Sequence, residues 1–302
     1  MYAEHFGLRE LPFGITPDTA FAFGCEAHQS ALNVALVALS QGEGFIKITG
    51  EVGTGKTLLC RRLLATLGSE MVTAYLPNPL LESRGLLLAL GAEFEIALDA
   101  QADEHHLLRA LNLGLLHFAR GGRRVVVLID EAQAMPLPTL EALRLLTNLE
   151  TEKRKLLQVV LFGQPELDRR LADASVRQLA SRITFEYRLR GLSRRELRHY
   201  LSHRMRVAGY IGPTVFGGPA VWALHRASAG IPRLVNVLAH KCLMLVYGEG
   251  GHRTQWRHVR AAIRDTGSVR RPRLPWRASV FALALPAIAV GAAGIARLGG
   301  LA

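Results

Sequence analysis

Apolar positions along the chain change their spacing in a regular way. At 27–39, Ala31, Val34, Ala35, Ala38 and Leu39 recur every three or four residues, which predicts a helix with one buried face. Gln41-Gly42-Glu43-Gly44 then reads as a turn. From Phe45, short β-branched and aromatic runs alternate with helical patterns. Strands are predicted at 45–49, 72–76, 125–129, 158–162 and 184–189, and helices at 56–67, 83–90, 105–119, 137–149 and 165–172. Pro138 suits the first turn of its helix, where no backbone donor is lost. This alternation predicts an α/β fold with a mostly parallel sheet covered on both faces.

Beyond Arg190 the strand pattern stops. Ser193 and Glu196 form a capping-box pair that opens a helix to about 208, and further helices are predicted at 219–227, 232–246 and 254–263. The expected division is an N-terminal extension at 1–26, an α/β core at 27–190, an all-helical domain at 191–265, a basic linker at 266–277, an apolar helix at 278–296 and a short tail. No internal repeat of 20–50 residues is present.

Gly50-Glu51-Val52-Gly53-Thr54-Gly55-Lys56-Thr57 matches the GxxxxGK[ST] pattern in full. Its glycines let backbone N–H groups curl around phosphate, and a helix starting near Lys56 points its positive end at the anion. Lys56 is expected to reach the outer phosphates and Thr57 to ligate Mg²⁺. Val125-Val126-Val127-Leu128-Ile129-Asp130-Glu131 predicts a buried strand ending in two acids. Asp130 would hold the metal, through water, while Glu131 polarises the attacking water. Both half-sites close a predicted strand at its C-terminal end, where open parallel sheets bind ligands. ATP and Mg²⁺ are thus the expected ligands.

Charge changes the picture at the other end of the chain. The net charge of +12 is concentrated: eight of the 37 Lys and Arg residues, and one of the 25 acids, lie between Arg253 and Arg277. The residues from Ala278 to Ala296 carry no charge. At 1.5 Å per residue this run spans about 28 Å, near the hydrocarbon thickness of a bilayer. It predicts a transmembrane helix with the arginine cluster, and hence the bulk of the chain, on the cytoplasmic side of the membrane. Trp276 suits an interfacial anchor. Residues 1–17 lack the basic and apolar regions of a secretory signal. Three scattered cysteines, Cys25, Cys60 and Cys242, suggest a reduced compartment.

Taken together, Met1-Tyr2, Glu4-His5-Phe6-Gly7-Leu8, Pro12-Phe13, Thr16-Pro17-Asp18, the run Gly44 to Thr57, Asp130-Glu131-Ala132-Gln133, Gly163-Gln164-Pro165-Glu166-Leu167 and Gly230-Ile231-Pro232-Arg233-Leu234-Val235-Asn236 resemble the AAA+ ATPases of the general secretion pathway protein A (ExeA-like) group and of MSHA-type pilus biogenesis. The resemblance covers most of 1–265. It implies an ATPase with a helical lid that drives assembly of a secretion or type IV pilus machine. It also implies that Gln164 senses the γ-phosphate, that Arg233 is the lid arginine touching nucleotide, and that Arg182 is an arginine finger, with Arg177 the competing candidate. A finger acts on a neighbour's site, so a homo-oligomer is expected. Longer secretion members carry a cell-wall-binding domain after the membrane helix; this sequence has none, and the shorter pilus type fits better.

A second reading is a DNA-handling AAA+ protein, such as a transposition helper or helicase loader. A third is a nucleotide-switched scaffold with negligible turnover. His199 and His203 share a helix face but lack an acidic or cysteine partner nearby in sequence, so they and His105-His106 read as solvated surface rather than metal ligands. Trp222, Trp256 and Trp276 are too dispersed for base stacking.

Overall fold

The computed structural model describes residues 2–14, 19–21, 23–148 and 155–267. Five strands, β1 (Phe45–Gly50), β2 (Met71–Leu76), β3 (Arg124–Ile129), β4 (Gln158–Gly163) and β5 (Ile183–Leu189), form one sheet in the order β2-β3-β4-β1-β5. Every pairing is parallel. The predicted strands each stand within one residue of the observed ends. The chain leaves β1 on one side and returns to β2 at the far edge, so the crevice beyond the strand ends opens beside β1.

The two-residue period sorts the core. Val125, Val127, Ile129, Val159 and Leu161 join one buried cluster with leucines of α4 (Ser83–Glu93), α5 (Glu104–Arg120) and α6 (Leu137–Leu146). Val126, Leu128, Val160 and Phe162 face the other way, onto α2 (Glu26–Ser40) and α3 (Lys56–Thr66). Strands buried on both faces read as continuous apolar runs, which is why β3 and β4 were legible. Each leucine removed from water here contributes about 1.5–3 kcal/mol. Lys47 is the charged residue inside β1; its Nζ lies 2.6 Å from Asp168 of α7 (Glu166–Leu171) and 3.1 Å from Glu186 of β5, so the ammonium is paired.

A short helix, α8 (Arg177–Ala180), precedes β5, and beyond it come α9 (Arg194–Val207), α10 (Gly218–Ser228), α11 (Pro232–Gly248) and α12 (Trp256–Arg264). The capping box at Ser193 and Glu196 is present as expected. Helix α12 begins at Trp256 rather than Thr254, because Thr254 bridges to Phe216 and Gln255 takes the cap. Helix α6 ends at Leu146, with Thr147 at its C-cap, short of the expected 149. The chain crosses itself where it enters and leaves this region: Leu192 N donates to Gly230 O at 2.8 Å. A Cβ on Gly191 would lie 2.2 Å from Ala229 O, so only glycine permits the crossing.

The N-terminal segment packs against these late helices. Tyr2, in α1 (Tyr2–His5), bonds His240 Nδ1 through its hydroxyl at 2.8 Å, and Arg9 N donates to Ala208 O at 2.8 Å. Arg204 donates to Pro12 O, and Asn236 Nδ2 to Gly14 O at 3.0 Å. Phe6 and Phe13 are buried within the same cluster. The sequence division had treated this segment as a mere extension. The expected membrane helix at 278–296 and the linker residues from 268 lie outside the described residues. Among the described residues no helix is long and apolar enough to cross a membrane.

Burial pushes the Glu196 carboxyl up, but hydrogen bonds from Arg190 and Ser193 outweigh it and hold the group at about 2. A depressed carboxyl stabilises the fold fully above its ordinary range and loses that contribution as pH falls through about 2. Glu196→Gln is therefore expected to cost about 1 kcal/mol near neutral pH, the scale of a lost cap. In urea titrations the deficit against the parent should shrink as pH falls below about 4; a deficit independent of pH would contradict the assignment.

Candidate active site

The turn from β1 into α3 is built by two glycines in the left-handed region, Gly53 at φ +84° and Gly55 at φ +93°. Thr54 Oγ1 donates to Glu51 O at 2.8 Å and tightens the loop, while Val52 stands exposed at its tip. A Cβ on Gly50 would lie 2.8 Å from Thr54 Oγ1, so that approach too needs glycine. Because α3 starts at Lys56, the N–H groups of its first turn have no intrahelical acceptor and face the loop. Lys56 is buried, and its Nζ donates to Gly50 O at 2.8 Å and Glu51 O at 3.2 Å. Burial draws its pKa below the ordinary lysine value, against the opposing pull of Glu131 and Asp130.

Across the crevice, β3 delivers its two acids to the same place. Thr57 Oγ1 donates to Asp130 Oδ2 at 2.6 Å. Burial raises the Asp130 carboxyl, while the bonds from Thr57 and from Glu131 N lower it only in part. The donor set, a hydroxyl beside a buried carboxylate, fits a small oxygen-liking cation such as Mg²⁺. Glu131 follows at φ +50°, a left-handed conformation costly for a residue with a side chain. Gln164, at the end of β4, donates from Nε2 to Glu131 Oε2 at 2.9 Å. Burial would raise the Glu131 carboxyl, but the donors Gln164 and Gln133 and the Lys56 charge hold it below its ordinary value.

Arg233 opens α11 directly over the loop: its N donates to Gly53 O at 3.3 Å, and a Cβ on Gly53 would lie 2.4 Å from the Arg233 Cβ. Of the predicted residues, the structure thus gathers 50–57, Asp130, Glu131, Gln164 and Arg233 at one edge of the sheet. Arg182 stands apart. It precedes Ile183, which pairs with Phe45 at the start of β1, so it lies at the opposite edge, roughly 20 Å from its own loop at the strand rise of about 3.3 Å. Arg177, in α8, is likewise before β5.

Sequence reasoning missed several groups here. A cavity of about 400 Å³ adjoins the loop, and Phe23, His28, Tyr200, Arg204 and Asn236 line it. His28 Nε2 donates to Thr54 O at 2.8 Å and packs on Gly55. No spacing ties these residues to the loop; the signal available was the buried apolar character of the N-terminal segment. Gln133 was quoted only as part of a motif. His199 is exposed and His203 packs on Phe23, so these two do not form a metal site. Asp103, His105 and His106 come together, exposed, at the start of α5, where Asp103 already caps the helix through His106 N.

Gly53→Ala would force a side chain into left-handed backbone and against Arg233. We expect it to lower the unfolding free energy by about 1–3 kcal/mol, read from denaturant midpoints; an unchanged midpoint would mean Arg233 swings away freely.

The model of a family described as an AAA domain matches residues 39–171. Among solved structures, the Aeropyrum pernix ORC2 protein is similar in fold, with a TM-score of 0.56 and 17% identity over 83% of this chain and 72% of that one. So is the Thermotoga maritima RuvB Holliday junction branch migration motor, with a TM-score of 0.53 and 17% identity over 85% and 73%. General secretion pathway protein A of Aeromonas hydrophila is 43% identical over 270 residues, which is 89% of this chain. The chain spans about half the length of that relative, 49% of it. With the loop glycines, the acid pair and Gln164 gathered at one sheet edge, the chain is similar over most of its length to general secretion pathway protein A, and its residues 39–171 match an AAA domain.

Proposed function

We propose that this protein hydrolyses ATP to ADP and phosphate and couples the cycle to assembly or positioning of a type II secretion or type IV (MSHA-like) pilus machine. The observation that carries the reading is the convergence of Lys56, Thr57, Asp130, Glu131 and Gln164 on the crevice beside β1, closed from above by Arg233. The loop N–H groups and Lys56 bind the β- and γ-phosphates. Thr57 and Asp130 would hold Mg²⁺, which when bound neutralises charge on the phosphate oxygens. Glu131, kept ionised by its donors, takes the proton of the attacking water, and Gln164 orients that water toward the γ-phosphate.

Arg233 links the occupancy of the loop to the position of α11, so the helices α9–α12 act as a lid. Arg182 lies too far from its own loop to serve it. We infer that it acts in trans, on the loop of a neighbouring copy in a homo-oligomer, with Arg177 as the alternative. The run 278–296 anchors the chain in the inner membrane with the ATPase on the cytoplasmic side. Exposed Arg253, Arg260 and Arg264 on and beside α12 continue the basic segment toward that run, in keeping with an anionic lipid surface. Salt-sensitive DNA binding by residues 1–265 would instead favour the DNA-handling reading.

Lys56→Ala is expected to abolish Mg-dependent ATP binding in a filter or fluorescence assay. Glu131→Gln should keep binding and lower kcat by about 100-fold or more, stabilising the oligomer with ATP; normal turnover would remove Glu131 as the base. Mixing inactive Arg182→Ala with inactive Lys56→Ala should restore part of the turnover, since each supplies what the other lacks. No recovery with these two, but recovery with Arg177→Ala, would move the finger to Arg177.

A further inference from the structure

The general base assigned above is held by more than its sensor. Gln133 sits two residues beyond Glu131 in the short helical turn Ala132–Ala134, and its side chain reaches both halves of the hydrolytic pair. Its Nε2 donates to Glu131 Oε2 at 2.5 Å, and its Oε1 accepts from the backbone N of Gln164 at 2.9 Å. Gln164 closes the circuit by donating from Nε2 to the same Glu131 oxygen at 2.9 Å. The ring therefore runs from the end of β3, through one amide side chain, to the end of β4 and back.

The backbone that carries Gln133 is itself pinned. Arg170 of α7 donates from Nη1 to Gln133 O at 2.9 Å and to Met135 O at 2.6 Å. Ala134 N donates to Glu131 O at 2.8 Å, which closes the turn that Glu131 enters in its left-handed conformation. An amide is the group that suits this place. It offers a donor to a carboxylate and an acceptor to a backbone N–H at once, which neither a carboxylate nor an apolar side chain does.

We propose that Gln133 is a positioning residue for hydrolysis, which holds the Glu131 carboxylate in fixed register with the backbone of Gln164. This rests on the assignment of Glu131 as the base. Without its two bonds the Glu131 carboxylate keeps the Gln164 donor alone and is free to turn from the position in which it meets the attacking water. The charged groups around Glu131 are Lys56 on α3, Asp130 at the end of β3 and, across the cavity, His28, Arg190, Arg204 and Arg233. Substitution of Gln133 leaves all of them in place.

The test uses the full chain in detergent, with Gln133→Leu removing both bonds and Gln133→Glu keeping an acceptor for Gln164 while replacing the donor by a second carboxylate. In Gln133→Leu, kcat should fall about tenfold with the KM for ATP little changed. In Gln133→Glu kcat should fall further, because a like charge faces Glu131 and turns its carboxylate away. Added to Glu131→Gln, either substitution should lower kcat little further, because Gln133 acts through Glu131. A KM for ATP that rises along with the fall in kcat, or a loss that adds in full to that of Glu131→Gln, would overturn the proposal and leave Gln133 a structural residue only. Should the parent fail to hydrolyse ATP, the reading of the site as an ATPase falls, and the assignment of Gln133 falls with it.

Discussion

An ammonium and a carboxylate taken out of water within one crevice set the terms for everything around them. Lys56 is 4% exposed and Asp130 3% exposed, and each would be expensive to bury alone. The fold meets that cost with bonds from fixed backbone. Loop carbonyls receive the lysine, Thr57 and the N–H of Glu131 serve the aspartate, and two amide side chains serve Glu131 beside it. Parallel strands make this possible because β1, β3 and β4 end at one edge, and loops leaving the same edge can converge without long excursions.

That constraint also explains where strain and glycine fall. The loop must turn sharply enough for its N–H groups to face inward, so Gly53 and Gly55 adopt left-handed backbone. Glu131 adopts the same region although it is not glycine, and the turn after it, clamped by Arg170, holds it there. Helix α11 can lie on the loop only because Gly53 offers no Cβ to Arg233. The site is thus a set of backbone positions first and side chains second.

Much of this was legible in the sequence, for reasons that can be named. Fully buried strands such as Val125 to Ile129 show as unbroken apolar runs, and the loop motif fixes spacing between groups that act together. The cap at Ser193 and Glu196 is local, joining positions three apart in sequence, and was found for that reason. What stayed hidden depends on contacts between distant parts of the chain. Tyr200, Arg204 and Asn236 reach the cavity through the packing of α9 and α11, and His28 through the packing of α2 on the loop. Gln133 was visible as a letter in a motif, but its two hydrogen bonds, to the Glu131 carboxylate and the Gln164 backbone, depend on β3 and β4 lying side by side. The apolar run at 278–296 is a matter of composition alone and stands on that argument.

The bond between Tyr2 and His240 joins the beginning of the chain to a helix that is made more than two hundred residues later. At a translation rate of about 5–20 residues per second, the first segment leaves the ribosome roughly ten to fifty seconds before its partners exist. During that interval the aromatic side chains Tyr2, Phe6 and Phe13 have no surface of α9 or α11 to cover. The sheet can form in the meantime, because all its strands precede residue 190. Cavity walls made from the first and last thirds of the chain must therefore be the last part of the site to be completed during synthesis.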